Sequence, residues 1–274
     1  MPTNLTCSPG GVNRLLRLTP PNAGGYSLGM ANIAVSQFTP TANLDQNLDV
    51  IARHVAEAAA SGARLVAFPE MAYFMGRPSE WLPLLGRYSE FMERFAALAS
   101  QHSLYLCPGT LREPVAGRDG RYHNTAVVFG PDGKLLGRYR KSHLFDAQIQ
   151  GKAYEESKYC DAGTEVVTVE TELGVVGLAI CYDLRFPDLF QALKKKGARF
   201  VLLPSAFTVP TGKAHWEILV RARAIENKFC MVAPGAVGLT GEGNATWGQS
   251  LIITTDGAVV VDAGEGTGVF VGEG

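Results

Sequence analysis

The chain has 274 residues, of which 46% are hydrophobic and 19% charged, a composition able to bury the core of one large domain or two small ones. Lys and Arg number 25 and Asp and Glu 26, so the formal net charge of −1 gives no indication of nucleic acid or an anionic membrane as a partner. No apolar run approaches the ~20 residues of a membrane-spanning helix, and we expect no membrane partner.

The cysteines and histidines are scattered along the chain. There are five cysteines, and neither a CxxC pair nor an HExxH spacing occurs, which disfavours a disulfide framework and a metal site. We therefore expect no metal, no cofactor and a reducing compartment, which is the cytoplasm for most such proteins. The cysteines are Cys7, Cys107, Cys160, Cys181 and Cys230.

Residues 1–30 differ from the rest of the chain. They are rich in Gly, Pro, Asn and Thr, their only charged residues are Arg14 and Arg17, and the first acidic residue is Asp45. This composition predicts a disordered extension before a folded domain at 31–274. The alternative is an organelle transit peptide, which would place the protein in the mitochondrion.

Strands and helices alternate from Met30 onward, which predicts an α/β fold. Two hairpins are expected, around Pro131-Asp132-Gly133 and around Asp256-Gly257. The predicted strands lie at 32–38, 64–70, 104–110, 122–140 (a hairpin), 165–183 (a pair), 199–205, 229–234 and 248–263 (a hairpin). The predicted helices lie at 44–62, 79–103, 183–196 and 213–228.

One short sequence occurs twice in similar form. "GARLVAFPE" at 62–70 and "GARFVLLPS" at 197–205 match at most positions, and each follows a predicted helix. The repeat indicates two halves related by a pseudo-two-fold axis. No linker separates the halves, so we expect a single domain.

Polar residues follow three buried strands, where α/β proteins collect binding groups: Glu70, Cys181 and Ser205. Lys141 ends a fourth strand. Cys107 and Cys230 lie inside apolar strands and are expected to be core residues, whereas Cys181 lies at a strand-to-helix turn, where a helix N-terminus favours thiolate. A nucleophilic thiol, a partly desolvated carboxylate base and a cation together indicate acyl transfer on an amide or nitrile.

Four segments in this order resemble the nitrilase (carbon–nitrogen hydrolase) superfamily: "AFPE" with Glu70, "YRKSHLFD" with Lys141, "YEESKYCDAG" with Glu156 and "GLAICYDLRFPDL" with Cys181. The resemblance implies a four-layer αββα sandwich. It also implies that Glu70 is the general base and Cys181 the nucleophile. Lys141 and the backbone N–H of Tyr182 would form the oxyanion hole, and Glu156, with Glu155 as its rival, would orient Lys141.

The segments "KSHLFD", "CYDLRFP" and "TGKAHWE" resemble the branch of deaminated glutathione amidases and omega-amidases, and "PEMAYFMG" the former more. This implies hydrolysis of a terminal amide on a small carboxylate-bearing substrate through a cysteine thioester, with release of ammonia. The best expectation is a deaminated glutathione amidase. The alternatives are an omega-amidase acting on α-ketoglutaramate, a true nitrilase and an N-carbamoyl amino acid hydrolase.

Arg185 is the candidate for binding the substrate carboxylate, and its alternative role is a structural ion pair with Asp183 or Glu226. Tyr73, Phe207 and Thr208 are expected to line the pocket. Relatives continue past "GVFVGEG" into a tail that helps to pair subunits, so this tail is short or absent here; a homodimer or a higher oligomer is still expected. Two rival hypotheses are a Cys–His hydrolase with His143 as the base and a non-enzymatic scaffold.

Overall fold

The two similar segments of the sequence form equivalent strands of two β-sheets. The computed structural model describes residues 31–274. In each sheet, the segment supplies the middle one of three neighbouring parallel strands. These strands are β1 (Asn32–Gln37), β2 (Leu65–Ala67) and β3 (Tyr105–Cys107) in the first sheet and β10 (Gly174–Leu178), β11 (Phe200–Leu202) and β12 (Cys230–Ala233) in the second. The predicted pseudo-two-fold relation between the halves is confirmed.

Antiparallel strands extend both sheets at their edges. The first sheet has the order β17-β1-β2-β3-β5-β4, with β6 on β5, where the added strands are β4 (Thr110–Pro114), β5 (Tyr122–Phe129), β6 (Leu135–Arg140) and β17 (Gly268–Glu273). The second has the order β16-β15-β12-β11-β10-β9, where the added strands are β9 (Thr168–Thr171), β15 (Leu251–Ile253) and β16 (Val259–Asp262). The two predicted hairpins are present as β5–β6 and β15–β16.

Side-chain alternation along the strands of the first sheet produces the layers. Leu65 and Ala67 point into the core shared with the second sheet, and Val66 points into a separate core. That separate core is formed with α1 (Leu44–Ala60) and α3 (Tyr88–His102). On the far side of the second sheet lie α4 (Pro187–Lys195) and α5 (Val209–Asn227). The order of layers is therefore αββα, as expected.

The predicted long helix at 79–103 is wrong as a single element. The segment forms a short helix α2 (Pro78–Trp81), a 3₁₀ segment (Leu82–Arg87) and then α3. Pro83 cannot donate a backbone hydrogen bond, and Gly86 weakens any helix. The C-terminal part of the segment is helical as predicted, and Phe91 and Phe95 of α3 are buried.

The predicted helix at 183–196 begins later than expected. Residues Cys181–Arg185 form a 3₁₀ turn, and α4 begins only at Pro187. Phe186 is extended, because the ring of a following proline disfavours the helical conformation of the residue before it. The turn therefore presents Cys181 at the end of β10, several residues before any α-helix.

Two small hairpins lie outside the main sheets. One consists of β7 (Asp146–Ile149) and β8 (Lys152–Glu155), and the other of β13 (Val237–Leu239) and β14 (Ala245–Trp247). Their tips meet where Lys152 donates a hydrogen bond to Asn244. The helices described between residues 31 and 274 are all too short or too polar to cross a bilayer. The predicted extension at 1–30, including its transit-peptide alternative, lies outside the described residues.

Candidate active site

Glu70 follows β2 and lies in the interior of the protein, only 6% exposed. Its Oε1 accepts hydrogen bonds from Asn124 Nδ2 at 2.8 Å and from Lys141 Nζ at 2.9 Å. Met71 next in sequence has a φ of 52° and donates its N–H to Thr110 Oγ1, which fixes the turn after the strand. The Glu70 carboxylate is thus held by two hydrogen-bond donors at the carboxyl end of β2.

Lys141 follows β6 and is buried between two carboxylates. Its Nζ lies 2.9 Å from Glu70 Oε1 and 2.8 Å from Glu156 Oε2. Burial alone would lower the pKa of Lys141, but the charges of Glu156 and Glu70 outweigh it and raise this pKa well above its ordinary value. The site therefore contains a permanent ammonium.

Glu156 lies in the short 3₁₀ turn (Glu156–Lys158) that follows β8, and it joins this cluster. It accepts hydrogen bonds from Lys141, from Asn124 and from the backbone N–H of Phe145, the last at 2.7 Å. Burial would raise its pKa, but Lys141 outweighs burial and lowers it. Glu155, the rival from the sequence, is exposed and takes no part in these bonds.

Cys181 begins the turn after β10 with a φ of 44°, a left-handed conformation that strains a residue with a Cβ. Its N–H donates to Pro204 O at 3.0 Å, and the residue is 7% exposed. Burial and the nearby Glu70 raise the pKa of the Cys181 thiol well above its ordinary value, with Lys141 opposing them.

The expectation that a helix N-terminus favours thiolate at Cys181 is therefore wrong. Cys181 begins a 3₁₀ turn, and the first α-helix after it begins only at Pro187. Burial and the neighbouring Glu70 carboxylate both favour the neutral thiol over the thiolate.

Asn124 is a site residue that the sequence analysis missed. Its Nδ2 donates to Glu70 Oε1 at 2.8 Å and to Glu156 Oε1 at 3.0 Å, so one amide joins the two carboxylates. It lies on β5 two positions before Ala126, which faces the second sheet. Strand alternation places Asn124 on that same buried face. A polar residue that alternates in phase with buried apolar residues along a strand is the sequence signal that could have identified Asn124.

These side chains line one cavity of about 440 Å³, within the range of ligand sites. All four predicted catalytic residues border it, and of the predicted substrate-binding residues Tyr182, Arg185, Phe207 and Thr208 do so. The Tyr182 N–H makes no backbone hydrogen bond within residues 31–274. The structure therefore brings a thiol, two carboxylates, an ammonium and an unused N–H into one cleft.

The predicted position of Tyr73 in the pocket is wrong. Tyr73 is 1% exposed and packs on Phe91 of α3, with ring centroids 5.1 Å apart. The left-handed turn at Met71 sends the following residues back into the core of the helix layer. A position shortly after the end of a strand is therefore not sufficient to predict that a side chain lines the pocket.

Arg185 has the environment of a ligand-binding cation. Its guanidinium lies over the rings of Tyr182 and Phe207, at 5.7 and 5.6 Å from their centroids, and Nη2 is 3.3 Å from His215 Nδ1. Within the described residues no carboxylate lies within 4.0 Å of it. The alternative structural pair is wrong, because Glu226 pairs with Arg223 and Asp183 binds other groups.

The groups bound by Asp183 also bear on the Cys–His hypothesis. His143 Nδ1 lies 2.7 Å from Asp183 Oδ1, and the imidazole stacks on Phe186 with centroids 3.7 Å apart. Within residues 31–274 we find no hydrogen bond between His143 and Cys181. No group of three or more His, Cys, Asp or Glu in that range could hold a metal ion. The geometry favours Glu70 as the partner of the thiol.

Comparison with known proteins identifies the family of the chain. The family profile "Carbon-nitrogen hydrolase" matches residues 32–273. The chain belongs to the carbon–nitrogen hydrolase family. The resemblance and the αββα fold drawn from the four motifs are thus confirmed.

Several relatives of this carbon–nitrogen hydrolase are amidases. A deaminated glutathione amidase of Synechocystis sp. is 38% identical over 88% of this chain and 90% of its own length. An omega-amidase of Homo sapiens is 34% identical over 85% of this chain and 84% of its own length. The expectation of an enzyme that hydrolyses amides is confirmed.

Solved structures share the fold. The Caenorhabditis elegans NitFhit protein has a TM-score of 0.84 and 36% identity; the match covers 89% of this chain but only 60% of that one. A Glu-to-Gln mutant of the amidase from Nesterenkonia sp. AN1 is 25% identical with a TM-score of 0.80, and the match covers 92% of this chain and 93% of that one. That structure shows covalent addition of the acetamide moiety of fluoroacetamide at the active-site cysteine.

Proposed function

We propose that this carbon–nitrogen hydrolase cleaves the terminal amide of a small carboxylate-bearing substrate through a thioester on Cys181. One observation carries the proposal: Glu70, Lys141 and Glu156 form a single hydrogen-bonded cluster beside the neutral Cys181 thiol, in the cleft that also contains Arg185. A thiol, its base and a fixed cation are the parts that acyl transfer needs.

In the proposed cycle, Glu70 removes the thiol proton as Sγ attacks the amide carbon. The negative charge that develops on the carbonyl oxygen is stabilised by Lys141 Nζ and by the Tyr182 N–H. Glu70 then gives its proton to the leaving nitrogen, the C–N bond breaks and a thioester remains. Glu70 next removes a proton from water, which attacks the thioester carbon; the acid leaves and the proton returns to Cys181.

Glu156 and Asn124 act as positioning residues in this cycle. Glu156 binds the ammonium of Lys141 and Asn124 binds the carboxylate of Glu70, so that neither charged group needs to reorganise as charge develops. Arg185 supplies a guanidinium fork for the substrate carboxylate, and Phe207 and Thr208 border the same part of the cleft.

Deaminated glutathione is the first candidate substrate, because the amidases of that name are 38% identical to this chain against 34% for the human omega-amidase. The alternative is α-ketoglutaramate. A true nitrilase or an N-carbamoyl amino acid hydrolase would use the same four side chains.

The experiment is a panel of deaminated glutathione, α-ketoglutaramate, a simple nitrile and an N-carbamoyl amino acid, with acid and amine or ammonia products measured by mass spectrometry. Cys181→Ala is the control for contaminating activity. We expect the highest kcat/KM for deaminated glutathione. Turnover confined to the nitrile, or equal rates with Cys181→Ala, would overturn the proposal.

We further propose a cytoplasmic homodimer. Cys107, Cys160, Cys181 and Cys230 are all unpaired, as in a reducing compartment. On α5 in an outer layer, Ile218 is 70% and Ile225 43% exposed, which favours contact with a second copy. Light scattering coupled to size exclusion tests the dimer, and cell fractionation tests the compartment.

A further inference from the structure

Arg121 lies directly before β5 and donates hydrogen bonds to the segment that follows Glu156 in sequence. Its Nη1 donates to Lys158 O at 2.8 Å, and its Nη2 donates to Ser157 O at 3.1 Å and to Cys160 O at 2.9 Å. Ser157 and Lys158 belong to the 3₁₀ turn that begins with Glu156. One guanidinium therefore binds the backbone of the turn that carries a carboxylate of the site.

Arg121 is the only donor to these three carbonyls in the described part of the chain. Within residues 31–274 no backbone N–H donates to the carbonyl of Ser157, Lys158 or Cys160. The planar guanidinium has five N–H donors in fixed directions, so it can bind several carbonyls at once. The compact ammonium of a lysine has three donors on a flexible stem and cannot reproduce this arrangement.

Asp161 fixes the orientation of the Arg121 guanidinium. Its Oδ1 accepts a hydrogen bond from Arg121 Nε at 2.6 Å and also pairs with Nη2. The other oxygen of Asp161 pairs with Arg118, which is 55% exposed and donates to none of the three carbonyls. Asp161 therefore orients Arg121, and Arg121 in turn holds the turn that begins with Glu156.

The strands before Glu156 give this turn little support. β7 and β8 pair only with each other, and every residue of β8 is exposed or half-buried. A two-stranded hairpin of this kind is marginally stable by itself. On the other side, two backbone hydrogen bonds join Tyr122 to Tyr159 O and to the Asp161 N–H, but both lie beyond the turn. The bonds from Arg121 are the ones that reach the turn itself.

The carboxylate of Glu156 makes short bonds that a shift of its turn would break. Its Oε2 lies 2.8 Å from Lys141 Nζ and 2.7 Å from the backbone nitrogen of Phe145. Lys141 also donates to Glu70, so movement of Glu156 would change the position of the ammonium. A misplacement of about 1 Å in such a group can reduce a rate about a hundredfold.

We propose that Arg121, oriented by Asp161, is a positioning residue that acts on catalysis only through Glu156. The inference rests on the proposed amide hydrolysis, in which Glu156 fixes the ammonium of Lys141. Arg121 is not among the residues that border the catalytic cavity of the described chain, so it does not touch the substrate.

The first test is steady-state kinetics of Arg121→Gln on the best amide substrate. We expect kcat to fall about tenfold with KM within about twofold, and Arg121→Lys to recover part of the loss. Arg118→Gln is the matched control, because Arg118 pairs with the same carboxylate but contacts no carbonyl of the turn, and its kcat should stay within about twofold. An equal loss in Arg118→Gln and Arg121→Gln would overturn the inference.

A double-mutant cycle separates positioning of Glu156 from a general structural role. In the Glu156→Gln background, Arg121→Gln should lower kcat by less than about twofold, because the residue through which it acts is already lost. A loss as large as in the wild-type background overturns the inference. If Glu156→Gln is impaired but Arg121→Gln is not, the inference fails and the proposed function stands. If Glu156→Gln keeps the wild-type kcat, the role of Glu156 in the proposed cycle fails as well.

Hydrogen–deuterium exchange of the peptide that covers residues 155–161 gives a second readout that needs no substrate. The Cys160 N–H donates to Glu156 O at 3.0 Å, so loosening of the turn exposes an amide that is now protected. We expect faster exchange in Arg121→Gln and wild-type exchange in Arg118→Gln. Wild-type exchange in Arg121→Gln overturns the inference. If Arg121→Gln does not fold, Arg121→Lys takes its place, and wild-type kcat together with wild-type exchange in that variant overturns it.

Discussion

Lys141 Nζ lies 2.8 Å from Glu156 Oε2 in the interior of the protein, with side-chain exposures of 2% and 14%. Such a pair contributes little net stability compared with an apolar core, because both charges were removed from water. Its value is positional, since it fixes an ammonium within reach of the nucleophile. Once one partner is removed, the other is left as an uncompensated buried charge.

Glu156→Gln should therefore reduce kcat by at least about a hundredfold and lower the free energy of unfolding by up to about 3 kcal/mol. Gln can still accept from the Phe145 N–H, so the turn after β8 should persist. Glu155→Gln is the matched control and should change the free energy of unfolding by less than about 0.5 kcal/mol. Steady-state kinetics give kcat, and urea unfolding gives the free energy of unfolding, for both variants. A larger loss in Glu155→Gln than in Glu156→Gln would mean that Glu155, and not Glu156, holds Lys141.

Asn124→Ala should lower kcat about 10- to 100-fold with little change in KM, because the amide nitrogen donates to Glu70 and Glu156 and so orients both carboxylates. Steady-state kinetics on the best substrate give the two constants. The neighbouring His123, whose ring binds Asp161 O at 2.8 Å, provides the control His123→Ala, with kcat near wild type. A rise in KM alone would mean that Asn124 binds substrate instead.

Arg185→Gln should raise KM for carboxylate-bearing amides about tenfold or more and leave neutral amides nearly unaffected. The reason is that its guanidinium has no carboxylate partner in the described chain and so is available to the ligand. Competition between a short dicarboxylate and its monoamide measures the effect as a ratio of inhibition constants. An equal loss for charged and neutral ligands would assign Arg185 a structural role.

Stability should fall as the pH rises above about 9. Burial raises the pKa of Cys107, Cys160 and Cys230 from 9.0 to about 12, and that of Cys181 in the same direction. Between these values the unfolded chain releases thiol protons that the folded chain keeps. The free energy of unfolding therefore decreases by up to about 1.4 kcal/mol per pH unit for each thiol.

Urea unfolding at about pH 8, 9 and 10 measures this slope. Cys230→Ala removes one of the thiols in an apolar strand and should make the decrease with pH shallower. A slope that is the same with and without Cys230 would show that its ionisation is not suppressed in the folded state.

The strand ends could be predicted from the sequence, because local patterns determine them. Buried apolar runs ending at Pro69 and at Ile180 placed Glu70 and Cys181 at the edges of two sheets. The pairing of these sheets, which brings Glu70 beside Cys181, depends on contacts between distant parts of the chain; only the repeat and the family resemblance indicated it.

The missed or misplaced residues share a physical cause. Tyr73 follows a left-handed residue, and no periodicity reports where such a turn points its neighbours. The acceptors of the Asn124 amide lie on other elements, 54 and 32 residues away. Tertiary contacts, which single-sequence patterns do not contain, decide each case.

The central claim is that Cys181 forms a thioester and that Glu70 removes its proton. Protein quenched during turnover of a preferred amide can be digested and analysed by mass spectrometry in four forms: wild type, Cys181→Ala, Glu70→Gln and His143→Gln. We predict an acyl adduct on the peptide that contains Cys181 in wild type and His143→Gln, none in Cys181→Ala, and formation slowed about 10²- to 10⁴-fold in Glu70→Gln. An adduct on another residue, or one that forms at the wild-type rate in Glu70→Gln and is lost in His143→Gln, would contradict the account.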